Sequence, residues 1–190
     1  MGFARGFKAE AERTAEDTRS ELGLTNLQPI NAHELAEHLS IPVWRLSDLH
    51  RRVDTAEHDG LEDAIASLST PRGSPLSAMT VFRGRKRVIV HNDAAEPGRQ
   101  LSNLTHELAH GILMHDPVPA IDERGCRNWK SDIEDEAAYL GGALIITGKG
   151  ARWIAKAGLT HEDAARKFGC SEEMVRWRVN MSGGRKMFKR

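Results

Sequence analysis

Apolar residues and one threonine recur at helical spacing from the first residues of the chain. They are Phe3, Phe7, Ala11, Ala15, Thr18 and Leu22. Gly23 follows, a residue type at which helices commonly end, so the pattern predicts an amphipathic helix over residues 3–22. A shorter helix is predicted next, because Asn31 and Glu34 form a capping-box-like start ahead of Leu35 and Leu39.

Strand patterns are confined to the first half of the chain. Residues 41–44 predict a strand entered through a proline, and residues 79–82 and 88–91 predict a β-hairpin with a basic tip. A short helix over residues 61–68 lies between them. Turn-forming residues dominate positions 69–75 and predict a loop.

The pattern is helical from Pro97 to the end of the chain. Strands followed by helices indicate the α+β class, which we expect to be a small, mostly antiparallel sheet packed on a helical core. We assign the main domain to residues 1–158. A C-terminal helix pair is assigned to residues 159–190, and we expect it to pack on the same core.

Composition excludes several classes of protein. The chain has 190 residues, 39% of them hydrophobic, and no apolar run approaches 18 residues, so we expect no membrane span and a cytoplasmic protein. Lys plus Arg equals Asp plus Glu at 27 each, which argues against a chain dominated by attraction to nucleic acid. Cys126 and Cys170 lie too far apart for a cysteine-based zinc module and are expected to be small buried residues.

The motif that indicates chemistry is H-E-x-x-H at residues 106–110. Its helix has an apolar arc formed by Leu101, Leu104, Leu108 and Ile112. His106 and His110 project together at the margin of this arc, one turn apart. Two neutral imidazoles in this arrangement can share a Zn²⁺, and Glu107 beside them can take a proton from a water at the metal.

A catalytic zinc site normally has three protein ligands, so a further residue is required. The extended motif with a third histidine fails, because Asp116 occupies that position, although His115 is adjacent. A carboxylate from the following helix is the alternative. Glu134 falls within an apolar and small-residue arc, where a carboxylate is costly unless paired or metal-bound. We therefore choose Glu134 as the third ligand and keep Glu136 as the fallback.

The order of these features resembles the ImmA/IrrE family of metallo-endopeptidases. The shared features are an N-terminal amphipathic helix leading into residues 35–43, a hairpin ending at residues 89–92, Arg99, the H-E-x-x-H motif, and acidic residues 134–136 followed by two alanines. The resemblance implies a zinc protease that cleaves a helix-turn-helix repressor or a related regulator, such as an antitoxin-like protein. The alternative is a non-enzymatic regulator that binds DNA or only its partner protein. The oligomeric state is left open.

Two further expectations concern the substrate and the oxyanion. The strand over residues 88–91 is expected to offer its edge to an extended substrate, with pairing through the backbone. Tyr139 and His161 are the weak candidates for a second electrophile.

Residues 160–182 also have the spacing of a helix-turn-helix, with Gly169 at the turn and Ser171 as the cap of the second helix. DNA binding would use Arg176, Arg178 and the basic tail over residues 185–190. The alternative is a structural helix pair with Ala164, Phe168, Met174 and Val175 buried against the zinc helices. We expect the structural role, because the balanced net charge gives DNA binding little support.

Overall fold

The computed structural model describes residues 3–51, 61–69, 76–83, 86–116 and 131–184. Within these ranges the helices are α1 (Phe7–Glu21), α2 (Ala32–His38), α3 (Leu61–Leu68), α4 (Pro97–Ile112), α5 (Ser131–Ile145), α6 (Gly148–Ala157), α7 (His161–Phe168) and α8 (Glu172–Met181). The strands are β1 (Val43–Arg45), β2 (Ala78–Arg83) and β3 (Lys86–His91), with a 3-10 helix over Leu46–Arg51. The α+β class is confirmed. Among the described residues, no helix combines the length and the hydropathy that a membrane span requires.

The sheet has the order β1-β3-β2 and is mixed. The predicted hairpin is present, since β2 pairs antiparallel with β3 and Phe82 lies opposite Arg87. In contrast, β1 pairs parallel with β3, with Val43 opposite Ile89. A parallel pair needs a long crossover, which the chain between β1 and β3 supplies. The expectation that β3 offers a free edge is wrong, because β3 is the central strand and both of its edges are paired.

The first helix begins later than predicted, at Phe7. Gly6, the residue before α1, has a left-handed backbone conformation (φ 91°), so the helix cannot extend back to Phe3. Phe3 instead stacks on Phe7, with ring centroids 5.3 Å apart, and both rings contact the edge of Tyr139. Phe3 is therefore apolar because its ring packs on Phe7 and Tyr139, although it does not belong to the helix. The cap of α2 is as predicted, since Asn31 accepts from the His33 N–H and donates to Glu34.

The main core forms where α4 and α5 pack together, with α1 and β3 against them. Leu104, Leu108, Leu140 and Ile89 are buried here. The two helices approach closely at Gly141, where a Cβ atom would come within 3.1 Å of the His106 backbone. The next residue, Gly142, faces the other way, and a Cβ atom there would meet the Trp177 ring at 2.1 Å. Small residues thus let α5 lie between α4 and α8.

A second core joins α6, α7 and α8 to the end of α5. Ala164, Phe168 and Val175 are fully buried, and Met174 packs partly against them. These side chains meet Ile145 at the end of α5, Ile146 directly after it, and residues of α6 rather than the motif helix alone. The turn is as predicted: Gly169 is left-handed (φ 68°), and Ser171 accepts from the Met174 N–H.

Cys170 is half-buried beside this second core, and burial raises the pKa of its thiol to about 11. It therefore behaves as the small apolar residue that was expected. Cys126, the loop at residues 70–75, hairpin residues 84–85 and the basic tail at 185–190 lie outside the described residues.

Two buried arginines satisfy the carbonyl groups at the end of α5. Arg19 from α1 donates to the Leu144 carbonyl at 2.7 Å, and Arg178 from α8 donates to the Ile146 carbonyl at 2.7 Å. Glu12 balances Arg178 through an ion pair and also accepts from the Gly148 N–H. The first and last described helices are thereby tied to the same helix terminus.

Candidate metal centre

The geometry of α4 brings His106 and His110 together. Their positions differ by one helical turn, and their Nε2 atoms lie 3.2 Å apart with the ring centroids at 4.9 Å. The opposite side of the helix is held in the core by Leu104 and Leu108. The apolar arc of the motif thus fixes the direction in which both imidazoles point.

Helix α5 supplies the third side chain of the cluster. One carboxylate oxygen of Glu134 lies 3.1 Å from His106 Nε2, and the other lies 3.6 Å from His110 Nε2. One ligand atom from each of these three residues lies within 4.8 Å of the other two. Glu136 is directed elsewhere, since its Oε2 atom lies 3.3 Å from His115 Nε2. The structure therefore brings together Glu134 and the two histidines and leaves the fallback carboxylate outside the cluster.

The protonation of the cluster suits a divalent cation. Burial, together with the charge of neighbouring His106, lowers the pKa of His110 to about 4, so the His110 ring is neutral at pH 7. The hydrogen bond with His106 lowers the pKa of Glu134, which is therefore ionised. Imidazole nitrogens and one carboxylate are the usual protein ligands of catalytic zinc. The residues present therefore fit such an ion.

Glu107 lies beside the cluster and is held by the sheet. Thr80 of β2 donates its hydroxyl to Glu107 Oε2 at 2.5 Å. Burial raises the pKa of Glu107, and the hydrogen bond from Thr80 acts in the opposite direction. No sequence pattern indicated Thr80, because its contact with Glu107 depends on how the hairpin packs against α4.

The C-terminal turn of α4 places His115 against the cluster. Met114 has a left-handed conformation (φ 51°), and the backbone N–H of His115 donates to the His110 carbonyl at 3.0 Å. The Met114 N–H donates to the Gly111 carbonyl, which completes a Schellman motif. His115 Nδ1 consequently lies 2.9 Å from His110 Nδ1. The sequence showed that His115 was near the motif but not that it would contact a motif side chain.

Other residues proposed from the sequence lie away from this cluster. The Tyr139 hydroxyl donates to Glu12 at 3.0 Å, so it is already engaged in a structural contact. His161 is the first residue of α7, in the C-terminal helix pair. Arg178 has 0% exposure, so it is not available for the DNA contact that the helix-turn-helix alternative assigned to it: the Ile146 carbonyl and Glu12 hold it inside. Arg176 is exposed.

The chain matches the model of a known protein family. The Peptidase_M78 model, described as the IrrE N-terminal-like domain, matches residues 56–180. The matched range is well over half of the chain and contains the whole cluster with Glu107, Thr80 and His115. None of the curated proteins matches this chain.

Proposed function

Because the chain belongs to the Peptidase_M78 family of IrrE N-terminal-like domains, we propose that it is a zinc-dependent endopeptidase that acts on a protein substrate. The observation that carries the proposal is the convergence of His106, His110 and Glu134 beside the half-buried carboxylate of Glu107. Such a set is suited to hydrolysis, since it combines ligands for a metal with a base next to them.

His106, His110 and Glu134 would hold Zn²⁺ in this assignment. Two nitrogen ligands and one carboxylate favour zinc over Ca²⁺ or Mg²⁺, which prefer oxygen ligands. When bound, zinc supplies a Lewis acid that increases the acidity of a water and polarises the scissile carbonyl.

Glu107 is the proton carrier of the proposed reaction. Its carboxylate takes a proton from the attacking water and later donates that proton to the leaving amine. Burial makes Glu107 a stronger base than an exposed glutamate, because its pKa is raised. Thr80 keeps the carboxylate in one orientation by donating to Oε2.

Strand β2 is the proposed docking edge for the substrate. Among the described residues, β2 pairs with β3 on one side and no strand pairs with its other edge. Met79 and Val81 are exposed by 40% and 45%, whereas Thr80 between them contacts Glu107. An extended segment that pairs with β2 would therefore lie next to the proposed base, with the exposed residues available for side-chain contacts.

The substrate class rests on the resemblance to the ImmA/IrrE family. We propose a helix-turn-helix transcriptional repressor or an antitoxin-like regulator, cleaved in the cytoplasm. The buried position of Arg178 supports a structural role for the C-terminal helix pair, so direct DNA binding is not part of the proposal.

The test combines the protein with the repressor encoded beside its gene. Zinc-loaded protein should cleave the repressor, and removal of zinc by a chelator should stop cleavage. Glu107→Gln should keep one zinc ion per chain and lose about 10²–10⁴-fold in rate, because it cannot accept a proton.

Glu96→Gln is the matched control, since Glu96 is exposed at the start of the same helix and makes no side-chain cap hydrogen bond. Full activity in Glu107→Gln, or cleavage that persists without metal, would contradict the proposed function.

A further inference from the structure

Both ring nitrogens of His110 have a partner among the described residues. One faces the cluster, and the other contacts a histidine outside it, His115. The His110 Nε2 atom faces His106 and Glu134, and its Nδ1 atom lies 2.9 Å from His115 Nδ1. The far nitrogen of His115, Nε2, lies 3.3 Å from Glu136 Oε2. The side chain of His115 is 10% exposed, so these contacts are largely shielded from water.

Only one distribution of protons satisfies this arrangement when His110 binds a metal. A ligating Nε2 atom must be unprotonated, so the single proton of a neutral His110 ring is on Nδ1. That N–H donates to His115 Nδ1, which then acts as the acceptor. His115 therefore carries its own proton on Nε2 and donates it to the Glu136 carboxylate.

Glu136 selects this distribution over the reverse one. If His115 carried its proton on Nδ1 and donated to His110, His110 would be protonated on Nε2 and unable to bind a metal. The lone pair of His115 Nε2 would then face the carboxylate oxygen of Glu136 at 3.3 Å, which is repulsive. A carboxylate at this place therefore favours the tautomer of His110 that can ligate.

We propose that His115 and Glu136 are positioning residues that fix the tautomer and ring orientation of His110 for metal binding. This inference rests on the proposed function, because it assigns His110 as a ligand. It also gives Glu136 a role different from that of an alternative ligand. Hydrogen-bonded partners of metal-bound histidines orient the ring and increase its basicity.

The backbone supports this role, since it holds His115 in place independently of any metal. The N–H of His115 closes the Schellman motif at the end of α4, and the left-handed conformation of Met114 directs the chain back towards His110. A left-handed conformation is unfavourable for a non-glycine residue such as Met114, and the two backbone hydrogen bonds of the motif offset that cost. The backbone at the end of α4 therefore places the His115 ring beside the His110 ring.

Zinc affinity of the purified full-length chain tests the proposal, measured by competition with a chromogenic chelator. His115→Ala removes the acceptor for His110 Nδ1 and should weaken zinc binding by about 10–100-fold. His115→Asn places an amide oxygen near the former Nδ1 position and should recover most of the affinity. Glu136→Ala should weaken binding in the same direction, by less than His115→Ala.

Two further measurements separate positioning from a general structural role. In the Co²⁺-substituted protein, His115→Ala should change the visible d–d bands, and His115→Asn should restore them. Thermal unfolding of the metal-free variants should match that of the unsubstituted protein. His38→Ala is the matched control, because it also removes a histidine paired with a glutamate, Glu21, at a contact between α1 and α2.

The outcomes distinguish this inference from the proposed function. An unsubstituted protein that binds no zinc would overturn both, and this result precedes any comparison of variants. A zinc-binding protein in which His115→Ala has unchanged affinity, or in which His115→Asn is as weak as His115→Ala, would overturn the positioning role alone.

Discussion

The two ends of α5 both carry charged side chains, but the charges are arranged in different ways. At the C-terminal end, Arg19 and Arg178 are buried and donate to the fixed carbonyls of Leu144 and Ile146. Near the N-terminal end, Glu134 is partly exposed and faces two imidazoles whose Nε2 atoms lie 3.2 Å apart. One end therefore pairs cations with built-in acceptors, and the other gathers acceptors that suit a cation.

This contrast shows how one helix serves stability and chemistry at once. Burying a charge is costly unless hydrogen-bonded partners compensate for it. Each arginine therefore depends on the carbonyl that it reaches, and Arg178, whose Nη1 atom has no partner, depends also on Glu12, so removal of either arginine should be destabilising. The cluster of Glu134 and the histidines is less buried and can exchange its partners. We expect substitutions at the N-terminal end to change metal binding with little loss of stability, and substitutions at the C-terminal end to do the opposite.

The largest effect should come from Glu134→Ala, which removes a proposed ligand. Elemental analysis should find that this variant loses stoichiometric zinc, because a catalytic site needs three protein ligands. Glu136→Ala is the matched comparison on the same helix and should keep its zinc under saturating metal. The opposite pattern, with zinc lost only in Glu136→Ala, would show that the third ligand was assigned to the wrong carboxylate.

Arg178→Ala should destabilise the protein by about 3–5 kcal/mol, because it leaves Glu12 and the Ile146 carbonyl without their buried cation. Urea unfolding measures this loss. Arg176→Ala, an exposed neighbour on α8, should change the free energy of unfolding by less than about 0.5 kcal/mol. Equal effects of the two substitutions would argue against the stabilising role of the C-terminal end.

Thr80→Val should change the pH dependence of cleavage. The hydrogen bond from Thr80 lowers the pKa of Glu107, so its removal raises that pKa and protonates the base at higher pH. The acid limb of the activity profile should move to higher pH, and activity on that limb should fall by about tenfold. Thr80→Ser keeps the hydroxyl and should retain the original profile. A limb that moves to lower pH in Thr80→Val would contradict this account of Glu107.

The smallest effect should come from Ser171→Ala at the start of α8. Loss of the hydrogen bond to the Met174 N–H should cost about 1 kcal/mol of stability. Zinc affinity should not change, because the cap lies in the second core. Ser20→Ala, at an exposed position within α1, provides a control for the loss of a hydroxyl and should not be destabilising. A weaker zinc affinity in Ser171→Ala would break the separation between the two ends of α5.

Features encoded by neighbouring residues were predictable from the sequence. The H-E-x-x-H spacing, the Asn31 and Ser171 caps and the turn at Gly169 each depend on a few consecutive residues. The choice of Glu134 followed from its place on an apolar arc, and the structure brings it to the two histidines, although its role as a ligand stays a prediction. The α+β class followed from the order of the strand and helix patterns.

Features that depend on distant parts of the chain were not predictable. The parallel pairing of β1 made β3 the central strand, which no local pattern reveals. Arg178 lies three residues after Val175 on the buried face of α8, but only the α5 terminus and Glu12 explain how a charged side chain is accommodated there. Thr80 and Glu136 likewise acquired partners through the packing of separate elements, so their roles became visible only in three dimensions.

The adjacent glycines of α5 bring the motif helix and the C-terminal helix pair close to the two sides of one backbone segment. A Cβ atom at Gly141 would crowd the backbone of His106, and one at Gly142 would overlap Trp177 of α8. At this point only a bare backbone separates the motif helix from the C-terminal helix pair. Removal of the C-terminal helix pair would therefore uncover the α5 backbone directly behind the turn that carries His106.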